Sequence, residues 1–138
     1  MYITSKIINA FRFVISKFKF WVVFYYNSSM RDSIHILLVE DNAGDILLTK
    51  EALLEGKIDV RLSIVENGEE ALQFLAREFP FAKAEMPDLI LLDINLPKIN
   101  GHEVLEHIKK SPKYKHIPVV MLTTSSSPRD IIESYNRQ

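Results

Sequence analysis

The sequence contains no cysteine, and its 138 residues include only four glycines and six prolines. The absence of cysteine excludes disulfides, thiolate zinc sites and cysteine nucleophiles, and it is compatible with a cytoplasmic location. The low glycine and proline content, with 47% hydrophobic and 25% charged residues, excludes a collagen, a repeat array and wholesale disorder. This length and composition predict one globular domain.

Long apolar runs and phosphate-binding glycine loops are also missing. The longest apolar run near the start, Phe20–Tyr26, is far below the ~20 residues that a transmembrane helix needs. Arg12, Lys17 and Lys19 interrupt the would-be apolar core, and no small-residue cleavage site follows, which argues against a signal peptide. Without a glycine-rich phosphate loop, a nucleotide hydrolase is not supported.

Acidic residues are absent from residues 1–30, which carry four basic side chains and a net charge of +4. Residues 31–138 carry 13 basic and 18 acidic side chains, a net charge of −5. An acidic main part argues against a nucleic-acid binder, which would need a basic face. We therefore divide the chain into an extension, residues 1–33, and a main domain, residues 34–138.

The extension has the pattern of a basic amphipathic helix, with apolar residues at helical spacing and polar residues on the opposite side. The apolar positions are Ile7, Ile8, Phe11, Val14, Ile15, Phe18 and Val22. Three interpretations stay open. Residues 1–26 contact a membrane surface or a partner, the helix packs on the rest of this chain, or the true start is Met30.

From Ile34 onward, strand patterns and helix patterns alternate. The predicted strands are Ile34–Val39, Asp59–Val65 at a sheet edge, Leu89–Leu92 and Ile117–Leu122. The predicted helices are Ala43–Glu55, one capped by Asn67 with Glu70 at its third position, Glu103–Lys110, and one opened by Ser127. This order predicts an α/β fold, a doubly wound parallel sheet with helices on both faces. Ligands of such sheets bind beyond the carboxyl ends of the strands.

The helical pattern also predicts which side chains face the core. For the first helix these are Ala43, Ile46, Leu47, Leu53 and Leu54; for the second they are Ala71, Leu72, Leu75 and Phe79.

Acidic residues stand where two apolar strands end. Glu40 and Asp41 follow the first strand in "IHILLVEDN", and Asp93 ends the third in "DLILLDINLPKINGHEVL". Because these strands are neighbours in a doubly wound sheet, we expect all three acids to converge at one edge. Their mutual repulsion is relieved by a cation, and Mg²⁺ prefers oxygen ligands. The pattern favours a magnesium site over solvated or helix-capping acids.

The fourth predicted strand ends in a hydroxyl residue, Thr123. At the carboxyl end of the next strand, this hydroxyl can hydrogen-bond a phosphoryl oxygen on Asp93.

Three stretches together, "LLVEDN", "DLILLDINLPKINGHEVL" and "IPVVMLTTSSSPRDI", resemble the receiver domains of two-component response regulators. The likeness is greatest to small single-domain regulators that partner bacterial phytochrome-type histidine kinases, and it runs from Ile34 to Gln138. It implies a flavodoxin-like receiver fold, the doubly wound class with strand order 2-1-3-4-5. It also implies a sensor histidine kinase or a phosphotransfer protein as the partner.

The resemblance implies a role for each matching site residue. Asp93 would accept the phosphoryl group, Asp41 would bind Mg²⁺ directly, and Glu40 would bind it through water. Asn95 would offer its backbone carbonyl to the metal, and Thr123 would be the switch hydroxyl that turns onto the phosphoryl group. Such a module catalyses only transfer to itself and is not an enzyme with an external substrate.

The family pattern continues beyond Gln138 with a fifth strand, a lysine that pairs with the phosphoryl group, and a fifth helix. We therefore expect an incomplete receiver of marginal stability, in which strand Ile117–Leu122 is an exposed edge that could promote dimers. The apolar stripe Ile7–Val22 has about the length needed to cover the sheet face of the fifth helix. An inactive fragment or pseudo-receiver that acts only by protein binding is the alternative function.

A small phosphatase of the haloacid-dehalogenase type would also use a strand-end aspartate with Mg²⁺. That class resembles this chain less, because it requires a second aspartate two residues after the nucleophile. This chain has Asn95 at that position, followed by Leu96 and Pro97.

Overall fold

The computed structural model describes residues 33–55 and 59–122. The strands are β1 (Ile34–Val39), β2 (Val60–Val65), β3 (Leu89–Asp93) and β4 (Val119–Leu122). The helices are α1 (Ala43–Glu55), α2 (Gly68–Ala76) and α3 (Gly101–Lys110). This alternation is the predicted one. The predicted helices before Ser33 and after Ser127, and Thr123, lie outside the described residues.

The four strands form one parallel sheet in the order β2-β1-β3-β4. The predicted doubly wound topology is confirmed, and β2 lies at an edge as expected. Strands β1 and β3 are adjacent and in register, with Val39 opposite Leu92. Every residue of both strands is buried, which explains why their sequences are continuous apolar runs.

Alternate residues of the central strands supply two separate cores, as the pleat of a strand requires. One core joins Leu37, Val39, Ile90 and Leu92 to the apolar faces of α2 and α3. The other joins Ile36, Leu38, Leu89 and Leu91 to α1. Helices therefore lie on both faces of the sheet, as the alternating pattern predicts.

The buried face of α1 differs from the predicted one. Its buried residues are Thr49, Ala52 and Leu53, whereas Ala43 is exposed and Leu47 and Leu54 are 57% and 78% exposed. The prediction is wrong for those three residues and right for Leu53 and the partly buried Ile46. Thr49 can occupy the core face because its hydroxyl donates to the Asp45 carbonyl at 2.8 Å, which leaves no unpaired polar group.

Helix α2 begins as predicted and ends earlier. The side chain of Asn67 accepts a hydrogen bond from the Glu70 backbone N–H at 2.8 Å. The helix ends at Arg77, whose φ of 56° is left-handed, and its N–H caps the Gln73 and Phe74 carbonyls. Phe79 therefore lies beyond the helix and is 89% exposed, so its predicted burial is wrong.

The boundaries of α3 and β4 each shift by two residues from prediction. Helix α3 begins at Gly101 because Asn100 and Glu103 form a capping box, each side chain bonding the other's backbone N–H at 3.0 Å. Strand β4 begins at Val119 rather than Ile117. Pro118 has no N–H to donate to the ladder, although its carbonyl accepts from the Ile90 N–H at 3.0 Å.

Among residues 33–55 and 59–122, no helix has the length and apolar character needed to cross a membrane.

Candidate metal centre

The sheet places the first and third strand ends side by side. Val39 is the last residue of β1 and is opposite Leu92 in β3, so Glu40 and Asp93 follow at the same level. The Glu40 N–H donates to the Val65 carbonyl at 3.0 Å, which extends the β1–β2 ladder by one bond. Both acids are therefore fixed by the backbone of buried strands.

The structure brings Glu40, Asp41 and Asp93 together, with one carboxylate oxygen from each lying within 4.8 Å of the others. Glu40 and Asp93 are each only 3% exposed, whereas Asp41 is exposed. The cluster thus has a buried floor of two carboxyl groups and one carboxylate open to solvent. A cation could enter from the Asp41 side and keep some of its waters.

Burial is the main influence on the ionisation of Glu40, and it raises the pKa of that carboxyl group to about 8. The Asn42 backbone N–H donates to Glu40 Oε1 at 3.1 Å and opposes the rise, because it stabilises the charged form. The neighbouring charge of Asp93 increases it further. Without a cation, Glu40 is therefore protonated near neutral pH.

Burial likewise raises the pKa of Asp93. The Asn95 backbone N–H, which donates to Asp93 Oδ1 at 3.2 Å, opposes this effect, as does a hydrogen bond with Glu40. The negative charge of Asp41 adds to the rise. Ionising both of these neighbouring buried carboxyl groups is energetically unfavourable, because burial and the like charge both disfavour the charged form. A divalent cation would supply the compensating positive charge.

The donor set fits a hard divalent cation. All three groups are carboxylates, which Mg²⁺, Ca²⁺ and Mn²⁺ prefer, and no thiolate is available because the sequence has no cysteine. The raised pKa values show that the site binds protons when no cation compensates the charge. The residues present therefore suit a hard divalent cation, of which Mg²⁺ is one.

The structure tests the predicted roles of Asn95 and Thr123 only in part or not at all. The Asn95 N–H contacts Asp93, so Asn95 lies beside the cluster, while its carbonyl as a metal ligand stays a prediction. Thr123 lies outside the described residues. The residue before it, Leu122, is opposite Asp93 in the β3–β4 register, and its carbonyl accepts from the Ile94 N–H at 3.1 Å.

Gly101 lies where the loop after Asp93 meets the start of α3. Its N–H donates to the Ile94 carbonyl at 3.0 Å, which closes the loop. A Cβ atom at this position would overlap the Asp93 carbonyl oxygen and lie 2.8 Å from Ile94 Cα. Only glycine allows the start of α3 to approach the end of β3 this closely.

Sequence reasoning missed one supporting residue, Asn42. Its N–H donates to Glu40, and its side-chain oxygen accepts from the Asp45 N–H at 3.0 Å. It caps α1, which begins at the next residue. An asparagine directly before a helical pattern, with an acid three positions later, is a signal that could have identified it.

The sequence model of the response regulator receiver domain matches residues 36–138. The chain belongs to the response regulator receiver family. Response regulator Rcp1 of Synechocystis sp. strain PCC 6803 is 48% identical over 100 residues, which are 72% of this chain and 68% of Rcp1.

Two solved structures of similar proteins agree with the assignment. The phosphorylated cyanobacterial phytochrome response regulator RcpA has a TM-score of 0.67 and 48% identity, covering 75% of this chain and 74% of RcpA. The Mn²⁺-bound form of Rcp1 has a TM-score of 0.67 and 47% identity, covering 75% and 74%.

This receiver domain is a signalling module of a two-component system, in which a histidine kinase supplies the phosphoryl group. The alternative of an inactive pseudo-receiver is not favoured. Receiver domains bind a divalent metal, and the acidic cluster is a suitable site for one.

Proposed function

We propose that Asp93 accepts a phosphoryl group from the phosphohistidine of a sensor kinase, with Mg²⁺ bound by Glu40, Asp41 and Asp93. The observation that supports this most directly is the convergence of the three carboxylates within 4.8 Å at the end of β3. Asp93 is the acceptor because it is the acid that ends the central strand and is opposite β4, where the predicted switch hydroxyl follows.

In the transfer step, a carboxylate oxygen of Asp93 forms a bond to phosphorus while the phosphorus–nitrogen bond to the kinase histidine breaks. The leaving nitrogen keeps the electron pair of the broken bond, and the products are an aspartyl phosphate and an imidazole that is neutral because its other ring nitrogen carries a proton. A Mg²⁺ ion held by these carboxylates would supply positive charge to the phosphoryl oxygens, and the protein mainly positions the reacting groups. The Asn95 N–H, at 3.2 Å from Asp93 Oδ1, holds the carboxylate in one orientation.

The other two acids, Asp41 and Glu40, differ in exposure to solvent, and we propose different roles in metal binding for them. Asp41, exposed to solvent, binds the metal directly. Glu40, buried and hydrogen-bonded to the Asn42 N–H, would contribute negative charge to the metal through a water molecule. Asn95 adds its carbonyl oxygen. After phosphorylation, Thr123 turns its hydroxyl onto the new phosphoryl group and changes the surface near β4.

Magnesium is the proposed ion because it is a hard cation that keeps exchangeable waters for an incoming phosphate. The Mn²⁺-bound form of Rcp1 supports a divalent site of this kind. Carboxylate, carbonyl and water ligands suit Mn²⁺ as well as Mg²⁺. Mn²⁺ therefore also serves as a probe of the same site.

A phytochrome-type histidine kinase is the proposed partner, supported by similarity to the phytochrome response regulator RcpA. The domain is proposed to act in the cytoplasm and to turn over no external substrate. The match of the receiver family from residue 36 onward supports the proposed division between residues 1–33 and residues 34–138.

Phosphorylation by acetyl phosphate with Mg²⁺ tests the proposal, with intact-protein mass spectrometry as the readout. Wild type should gain the mass of one phosphoryl group, and Asp93→Asn should not. Asp59→Asn is the matched control, because Asp59 is an exposed acid before β2 at the opposite edge of the sheet. Equal labelling of Asp93→Asn and wild type, or no labelling of wild type by acetyl phosphate or kinase, would refute the proposal.

A further inference from the structure

The first residue of α2 contacts the loop that follows Asp93. A Cβ atom built on Gly68 would overlap the carbonyl oxygen of Ile99 and lie 2.9 Å from its carbonyl carbon. Cβ atoms essentially never approach backbone this closely, so any side chain at this position would push the loop away. The absence of a side chain therefore sets the distance between α2 and residues 94–100.

A second contact joins the same two segments. Lys98 Nζ lies 2.8 Å from Glu69 Oε2, an ion pair between the loop and the first turn of α2. Lys98 has a φ of 67°, a left-handed conformation that is unfavourable for a residue with a side chain. Such a conformation persists when the surroundings determine it, and the ion pair with Glu69 is a contact of Lys98 with α2.

The loop held by α2 is also the loop that orients Asp93. Asn95 donates its N–H to Asp93 Oδ1, and the Gly101 N–H closes the loop on the Ile94 carbonyl at 3.0 Å. Because the loop is short and fixed at both ends, displacement at Ile99 would be transmitted to Asn95.

We propose that Gly68 is a positioning residue for the metal centre, and this rests on the proposed function of Glu40, Asp41 and Asp93. Gly68 binds no metal itself. Because it has no side chain, α2 can pack closely against residues 94–100, and this packing holds Asn95 beside Asp93. The N-terminus of α2 is thus part of the support of a site formed on β1 and β3.

Calorimetric titration of the full chain with Mg²⁺ alone tests this, using Gly68→Ala. Gly44→Ala is the matched control: it also adds a methyl group to the first turn of a helix, but the nearest atom to that methyl group is a side-chain oxygen, Asn42 Oδ1 at 3.1 Å, and not backbone. We expect Gly68→Ala to weaken the Mg²⁺ Kd about 10-fold or more, as loss of a supporting contact does at metal sites. Gly44→Ala should stay within about twofold.

Titrations are run far below each variant's Tm, so that reduced stability alone does not change the Kd. A wild-type Kd in Gly68→Ala would overturn the proposal. Absence of Mg²⁺ uptake by the wild type would refute the proposed function instead, so the two failures are distinguishable.

If Gly68→Ala does not fold, Lys98→Asn provides an independent test. Asparagine tolerates the left-handed conformation, so this variant mainly removes the ion pair to Glu69. By Coulomb's law alone, removing a positive charge near the site should tighten cation binding, whereas loosening the loop should weaken it. Weaker binding than in wild type, with no weakening in the control Lys110→Asn, would support the proposal; equal or tighter binding would overturn it.

Discussion

The carboxyl groups of Glu40 and Asp93, at the ends of adjacent strands of the sheet, have oxygen atoms within 4.8 Å of each other and are nearly inaccessible to solvent. Each has a raised pKa, and that of Glu40 rises from 4.5 to about 8. The metal-free pair therefore retains protons at a pH where exposed carboxyl groups have lost them. The stability and the metal binding of this receiver domain should both depend on pH for this reason.

Without metal, the pair should destabilise the fold as pH rises. A raised folded-state pKa means that the folded protein binds more protons than the unfolded chain, so the free energy of unfolding falls with pH between about 4.5 and about 8. Thermal melts in EDTA across this range should show the decline, and saturating Mg²⁺ should remove most of it. Glu40→Gln in EDTA should have a flatter profile than wild type; an unchanged slope would contradict this explanation.

Magnesium binding should release protons. Because Glu40 is protonated near neutral pH and a metal site requires the ionised groups, the Kd for Mg²⁺ should decrease as pH is raised from 6 to 8.5. Calorimetry in two buffers of different ionisation enthalpy measures the number of protons released. Glu40→Gln should release fewer protons than wild type. A Kd independent of pH would show that the pair is already ionised without metal.

Much of the site follows from the sequence because parallel topology determines where strands end. Once β1 and β3 are identified as buried runs, their carboxyl ends must meet, and Glu40 and Asp93 follow. The faces of α1 could not be chosen in this way, because apolar residues surround the helix and Leu53 and Leu54 are equally apolar. The early end of α2 is set by Arg77, which is not a residue type that signals a left-handed cap. The contact of Gly68 with Ile99 joins segments far apart in sequence and has no local pattern.

At the opposite end of β1, His35 should reduce stability at acid pH. Its imidazole is buried, with Nε2 at 2.8 Å from Ser63 Oγ, and burial lowers its pKa from 6.5. The charged groups that act on it are Arg61 of β2 and Glu85 and Asp88 of the loop before β3. Because the unfolded chain binds the proton more readily, stability is lost as pH falls below about 6.5.

Replacing the imidazole separates this effect from that of the acid pair. His35→Leu should flatten the decline of the thermal midpoint below pH 6.5, measured with Mg²⁺ present so that Glu40 and Asp93 stay ionised. Glu40→Gln should leave that decline in place. If His35→Leu loses stability equally at pH 5 and pH 8, the imidazole does not titrate in this range.

The buried face of α1 is tested by two adjacent leucines. Leu53 is 8% exposed and packs with Ile36 and Leu38, whereas Leu54 is 78% exposed. Truncating a buried leucine removes burial and leaves a cavity, so Leu53→Ala should lower the free energy of unfolding by about 2–5 kcal/mol. Leu54→Ala should change it by less than about 0.5 kcal/mol. Urea denaturation of both variants measures the difference, and equal losses would mean that Leu54 is buried as the helical pattern first predicted.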